Sequence, residues 1–208
     1  MIRKELKNYN MFNIKCNYQI TIDKQNEFIA KVKQKERFAV ETVNAYGNKF
    51  DNLDKLMTLI NGKNGRFHHH PLTGPIYIEN AKPGDVLKVH IHKIETEEMA
   101  QSMSKTAGIA PIETGNIAER IPVISKRISE NEICYSNGIK LEYKPMIGMI
   151  ATTPAEEMIK TGHARARNGG NLDLPFVTES VDIYLPVDIE GARTLFRRCS
   201  CFTRIWRT

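Results

Sequence analysis

The stretch Thr73–Ile91 reads TGPIYIENAKPGDVLKVHI, and its pattern decides the fold class. Ile76 and Ile78 alternate with Tyr77 and Glu79, as on a half-buried strand. Lys82 to Asp85 then supply turn chemistry, with Pro83 fixing φ and Gly84 free to take a positive one. The apolar pattern resumes through Val86, Val89 and Ile91 to Ile94, with His90 and His92 on the face opposite Val89 and Ile91. Alternation alone explains those two histidines as solvent-facing strand residues. The unit is strand, turn, strand, and a mainly β protein is expected.

Working outward, QITI (19–22), EFIAKVK (27–33) and RFAVETV (37–43) are β-rich, the first and last with period-two alternation. Leu53 to Ile60 predicts a short helix, capped by Asp51 or Asn52 and followed by Gly62. Toward the C-terminus, ICYSNGIKLEY (133–143) predicts a hairpin turning at Asn137-Gly138. Met146–Ile150 and Val181–Ile189 predict core strands, and Thr153–Lys160 a short helix or an extended loop. The expected architecture is mainly β, in sandwich-like or barrel-like layers with a few short helices, incomplete at its C-terminus. Four parts are expected: a β-rich part with a His-Pro loop (1–96), an irregular excursion with the hairpin (97–143), core strands with a GGNLD loop (144–192) and an anomalous Arg/Cys tail (193–208).

The 208 residues are 41 % hydrophobic and 26 % charged, a balance that supports a real core. No apolar run is long enough to cross a bilayer, and MIRKELKNYN has the charges of a signal peptide without its apolar stretch. Cys16, Cys134, Cys199 and Cys201 are scattered, with no metal-ligand spacing except Cys199-x-Cys201, so a cytoplasmic protein with reduced thiols is expected. The net charge of +6 falls to +1 once the five arginines of residues 193–208 are set aside. No long basic face remains, which argues against a nucleic-acid partner.

Two loops carry candidate chemistry. Lys160–Asp173, KTGHARARNGGNLD, holds His163, the pair Gly169-Gly170, and Asn171 and Asp173 two residues apart. An extended chain there puts the Asn and Asp side chains on one side; a plain turn is the alternative. Phe67–Pro75, FHHHPLTGP, holds three histidines, of which His68 and His70 share a face on a strand while His69 points away. An ordinary polar loop is again the alternative. Glu156 and Glu157 read as a solvated face rather than a base or a ligand pair.

Three separated motifs, in order, resemble the acetamidase/formamidase family. TGPIYIENAKPGDVLKVHI resembles its TGPIYVEGAEPGDxLxVxI, which follows a His-Pro; KPMIGMIATTPAEE (144–157) resembles RPMIGVIGVAPAEG; RNGGNLDLPFVTESVDIYLPVDIEGA (167–192) resembles HGGNMD…STLYLPVFVEGA. AVETVNAYG (39–47) is similar to FETxDAxG. The resemblance covers roughly residues 25–192. It departs at Asn44, where the family often has Asp, and at Asn168, where it often has His.

A family member continues after EGA with LxFGDxHAxQGxGE, whereas this chain reads RTLFRRCSCFTRIWRT. One encoding of residues 197–208, read one base later, translates as Gly-Asp-Val-His-Ala-Leu-Gln-Gly-Tyr-Gly-Glu, the missing segment. Residues from about Arg193 onward are therefore expected to be a frameshift product, with Cys199 and Cys201 accidental. Sequencing the coding DNA around Ala192 tests this.

The resemblance implies hydrolysis of small linear amides, formamide or acetamide, to a carboxylate and ammonia. No Gly-x-Ser-x-Gly elbow is present, and Cys134 has no neighbour to lower its pKa, so metal-activated water fits better than a side-chain nucleophile. The expected catalytic residues are Asp173, His70 and Asn171; the expected metal ligands are His70, Asp173 and His163. The resemblance implies a divalent metal, zinc or similar, a small amide as substrate, and self-association into a homo-oligomer. The alternative is an inactive remnant or a non-catalytic β-rich binding module.

Overall fold

A computed structural model describes residues 12–42, 70–104, 121–136, 138–161, 164–165 and 167–198. Its strands are, in chain order, β1 (Phe12–Ile14), β2 (Thr21–Ile22), β3 (Ala30–Val32), β4 (Phe38–Val40), β5 (Thr73–Ile78), β6 (Val86–Ile91), β7 (Met99–Ser104) and β8 (Ile121–Arg127). There follow β9 (Glu132–Tyr135), β10 (Lys140–Glu142), β11 (Ile147–Ala151), β12 (Ile159–Lys160), β13 (Ala164–Arg165), β14 (Gly169–Asn171), β15 (Val181–Pro186) and β16 (Thr194–Arg198). The fold is mainly β, in several sheets, as the alternation of Thr73–Ile91 predicts.

The central sheet has six strands in the order β13-β14-β11-β16-β5-β3, antiparallel except where β3 runs parallel to β5. Its alternating side chains feed two separate apolar layers. Ile150 of β11 and Phe196 of β16 join Ile76, Ile78, Val32 and Leu185 in the larger one. Met149 and Ala151 of β11 and Leu195 of β16 turn to the other face, with Ile22, Leu72 and Ile159. A fully buried Ile or Leu contributes about 1.5–3 kcal/mol by burial alone. Runs such as Met149-Ile150-Ala151 are therefore apolar throughout because both faces are covered, which a period-two reading of half-buried strands does not capture.

β6 pairs antiparallel with β15 along its whole length, from Val86↔Pro186 to Val181↔Ile91. Lys88, His90 and Asp182 lie together on the exposed side of this ribbon. His90 Nδ1 is 2.6 Å and Lys88 Nζ 2.7 Å from the Asp182 carboxylate. The solvent-facing placement of His90 and His92 is borne out.

Two expectations need correction. The few short helices do not appear among the described residues; the helix expected at Leu53–Ile60 lies outside them, and of the two readings of Thr153–Lys160 the structure shows the loop, which runs into β12. The part expected to be an irregular excursion, 97–143, instead holds an antiparallel sheet in the order β10-β9-β8-β7. Residues 99–104, MAQSMS, carry almost no β-favouring side chains, so pairing with β8 rather than local propensity makes them a strand. The β9–β10 hairpin is present, with Gly138 at a φ of 86°. Of the part expected as an anomalous tail, residues 199–208 lie outside the described residues. Thr194–Arg198 is β16, hydrogen-bonded to β11 on one side and β5 on the other.

Candidate functional site

The glycine pair of the GGNLD loop has a packing reason. Gly169 sits at a φ of +81°, and a Cβ there would lie 2.3 Å from the Ile150 carbonyl oxygen. Only glycine lets β14 close onto β11 at that point. The closure brings Asn171 into register with Met149, and Met149 is in register with Arg197 on the other side. Residues in one register row point to one face of a sheet. Asn171 and Arg197 therefore share the face of the smaller apolar layer.

A bulge then places Asp173. The β11–β16 register shifts between Ile147 and Met149. The carbonyl of the intervening Gly148 accepts from Leu172 N at 3.0 Å and Asp173 N at 2.9 Å. Asp173 takes a φ of 44°, so the chain turns there instead of staying extended as the Asn-x-Asp reading requires. His70 arrives from the loop before β5, also at a positive φ, of 49°. Two non-glycine residues in this sparsely populated region mark backbone that the surrounding structure holds in place.

These three side chains converge on the guanidinium of Arg197. Nη1 lies 2.9 Å from His70 Nδ1. Nη2 donates to Asn171 Oδ1 at 2.5 Å and to Asp173 Oδ1 at 3.3 Å. The Arg197 side chain is 2 % exposed, whereas that of Asp173 is 47 % exposed. Burying a guanidinium costs several kcal/mol unless it is paired and fully hydrogen-bonded. Among the described residues its one carboxylate partner is half in water, and the buried Arg197 Nε has no hydrogen-bond partner.

The structure thus brings together His70, Asn171 and Asp173, the three expected catalytic residues. His163, the remaining expected metal ligand, lies outside the described residues, as do His68, His69 and Asn44. A divalent cation does not fit among these residues as they stand, because their acceptor atoms already face a fixed positive charge. Among the described residues no group of three or more His, Cys, Asp or Glu is placed to hold a metal ion. Arg197 is the residue at this meeting point that sequence reasoning missed. It read as part of a foreign tail, and no local pattern shows that an Arg will be buried against residues 24 to 127 positions away.

Asn168, where the resembled family often has His, belongs to a different network. It is buried, and its Nδ2 donates to Asp188 Oδ2 at 3.0 Å and to Thr152 Oγ1 at 3.3 Å. Arg167 Nη2 holds the other Asp188 oxygen at 2.9 Å. Glu156 and Glu157 are exposed, as a solvated face should be.

A mainly β scaffold with a polar cluster at the end of one apolar layer is the class that these elements define. The model of the acetamidase/formamidase family matches residues 23–168, and the chain belongs to that family. The match ends before Asn171, Asp173 and Arg197. An acetamidase from Bacillus halodurans is similar in structure, with a TM-score of 0.78 and 28 % identity over 89 % of this chain and 61 % of that one. A predicted acetamidase/formamidase from Thermoanaerobacter tengcongensis gives a TM-score of 0.72 and 29 % identity over 90 % of this chain and 60 % of that one. An acetamidase from Yersinia enterocolitica, 19 % identical with a TM-score of 0.69 over 91 % of this chain and 61 % of that one, shares the fold. The chain thus spans about three-fifths of the length of these relatives. No curated protein matches it.

Proposed function

We propose that the chain is built on a scaffold for hydrolysing small linear amides, formamide or acetamide, to a carboxylate and ammonia, and that the chain as it stands is impaired in that reaction. One observation carries the reading: His70, Asn171 and Asp173 meet at one point, and Arg197 engages all three there. Family membership and the acetamidase names of its structural relatives support the reaction class.

Amide hydrolysis needs a group to take a proton from water, a donor or cation to hold the oxyanion, and a proton for the departing ammonia. His70 and Asp173 are the proton-accepting groups at this point, and the Asn171 amide is suited to orienting a small polar substrate. In this chain Arg197 bonds to each of them, so His70 Nδ1 and Asp173 Oδ1 face a guanidinium in place of a water or an amide. The frame hypothesis is consistent with this arrangement, because the alternative frame reads Gly at position 197 and removes the obstructing side chain.

Ammonia release from formamide and acetamide tests the proposal, on the purified chain and on one whose residues from 197 onward follow the alternative frame. Turnover by the restored chain alone, lost on Asp173→Ala, is the expected result. Turnover by the chain as it stands overturns the impairment. Turnover by neither leaves the non-catalytic reading, a β-rich remnant or binding module.

A further inference from the structure

We infer that the outer edge of β10 is a self-pairing surface, where two copies of this chain join antiparallel about a two-fold axis at Leu141, Lys140 of each copy lying opposite Glu142 of the other. The edge belongs to the sheet β10-β9-β8-β7, separate from the sheet that carries Asn171 and Arg197. Its pairing therefore stands or falls without the amide reading.

The backbone sets which groups face outward. β10 ends its sheet and, among the described residues, pairs with β9 alone. Tyr135 N donates to Ile139 O at 2.8 Å, and Tyr143 N to Asn131 O at 2.8 Å. Along an antiparallel strand, positions whose N–H and C=O meet one neighbour alternate with positions whose groups face the other way. Ile139 and Tyr143 face β9, and so does Leu141 midway between them. Lys140 and Glu142 therefore turn their backbone groups to the open side. A second β10, laid antiparallel with its Glu142 opposite Lys140 and its Lys140 opposite Glu142, meets all of these groups. Leu141 then faces Leu141 of the second copy as the closer, non-hydrogen-bonded kind of pair, with Cα atoms about 4.5 Å apart.

The side chains choose the same register. All three residues of β10, Lys140, Leu141 and Glu142, are exposed. Centred on Leu141, each lysine meets a glutamate, and opposite charges across a strand pair stabilise it. A slide of two residues sets Lys140 against Lys140 or Glu142 against Glu142. A slide of one sets outward-facing backbone against inward-facing backbone. A surface that complements itself in this way is what a two-fold pair requires. Ile139 and Leu141, 54 % and 39 % exposed, lie on one face of the strand, and the second copy covers part of both. Within the chain Lys140 lies 3.8 Å from Glu132, and Glu142 2.6 Å from Lys144, all four side chains being well exposed. Such exposed ion pairs contribute little and yield readily to partners across the new strand pair. β3, the edge of the six-stranded sheet, shows the contrast. Centred on its middle residue it sets Lys31 against Lys31, the charge device that commonly keeps edges apart. Three residues from each copy make a small interface, of the weak and transient class.

Sedimentation velocity over a concentration series at low salt tests the pairing, on the full chain and on its Lys140→Glu, Glu142→Lys and doubly exchanged Lys140→Glu/Glu142→Lys variants. The native and doubly exchanged chains should dimerise alike as concentration rises. Each single variant should lose the dimer when alone, because like charges then meet. An equimolar mixture of the two single variants should regain it, because every lysine again meets a glutamate. Hydrogen exchange at the Lys140 and Glu142 amides should slow with concentration, while that at Leu141, already bonded within the hairpin, stays as it is. If a single variant does not fold, Leu141→Cys takes its place. Mild oxidation should link two copies through residue 141, as read by peptide mapping, whereas Ile139→Cys, which faces Tyr143 of the second copy, should form no such link. A native chain that stays monomeric throughout the series overturns the inference. So do single variants that dimerise as the native chain does, or a mixture of them that fails to associate.

Discussion

Asn171 and Arg197 flank Met149 from opposite neighbouring strands, and the Arg197 guanidinium donates to the Asn171 side-chain oxygen across that row. The bond satisfies one amino group of a buried cation. Asn171→Ala removes it and leaves that group, among the described residues, with the longer contact to Asp173. The expected loss is about 1–3 kcal/mol of stability, the cost of an unsatisfied buried polar group. Asp173→Asn should cost less, under about 1 kcal/mol, because an ion pair half in water is screened. Denaturant midpoints of the two variants check the order; a larger loss for Asp173→Asn would show that the charge matters more than the amide.

Gly169→Ala should destabilise more than an ordinary surface change. Its positive φ strains any L side chain, at about 1–3 kcal/mol. The added Cβ also meets the Ile150 carbonyl oxygen at 2.3 Å, so β14 must move away from β11. Thermal unfolding reads the loss, and hydrogen exchange at Met149 and Ala151 should report a loosened pair. An unchanged midpoint would mean that β14 does not close onto β11 as described.

The Asn168 network separates buried from exposed partners. Asn168→Ala should cost about 1–3 kcal/mol, because Thr152 and Asp188 lose a buried donor. Arg167→Ala should change stability by less than about 0.5 kcal/mol, its side chain being 75 % exposed. Equal effects from the two substitutions would contradict this division.

Acid should weaken the β6–β15 ribbon in two separate pH windows. The Asp182 carboxyl is held below the usual carboxylate range, first by its hydrogen bond from Lys88 and then by that from His90. A depressed carboxylate contributes stability above its unfolded pKa of about 3.9, and that stability disappears as pH falls through the lower folded value. Burial, with Arg37 and His90 nearby, pushes the His92 imidazole below its ordinary value. The unfolded chain therefore takes that proton first, and stability falls as pH drops from about 6.5 to the lower folded value. His92→Gln should flatten the upper window, and Asp182→Asn the lower. Unchanged slopes in pH-dependent unfolding would remove these two groups as the cause.

The Thr73–Ile91 unit was legible because its alternation and its Pro-Gly turn agree, though not that its two strands pair with different partners, β5 with β16 and β3, β6 with β15. Gly169 was legible as a glycine that matters, though not for which carbonyl it admits. His70, Asn171 and Asp173 were legible as a set only through the family resemblance, since nothing local relates His70 to a loop a hundred residues later. β7 was hidden because Gln101, Ser102 and Ser104 break the apolar pattern, and the strand exists through its pairing with β8. Arg197 was hidden for the opposite reason. An Arg in an Arg-rich stretch reads as solvated, and only the three-dimensional meeting of distant acceptors makes it a buried cation.

β16 lies in the middle of the six-stranded sheet, with β13, β14 and β11 on one side and β5 and β3 on the other. Every one of those strands precedes it in the chain. Without Thr194–Arg198 the facing edges of β11 and β5 have no strand between them, and open edges of that kind are where a neighbouring chain can pair. A lesion in these five residues would strike the seam of the sheet.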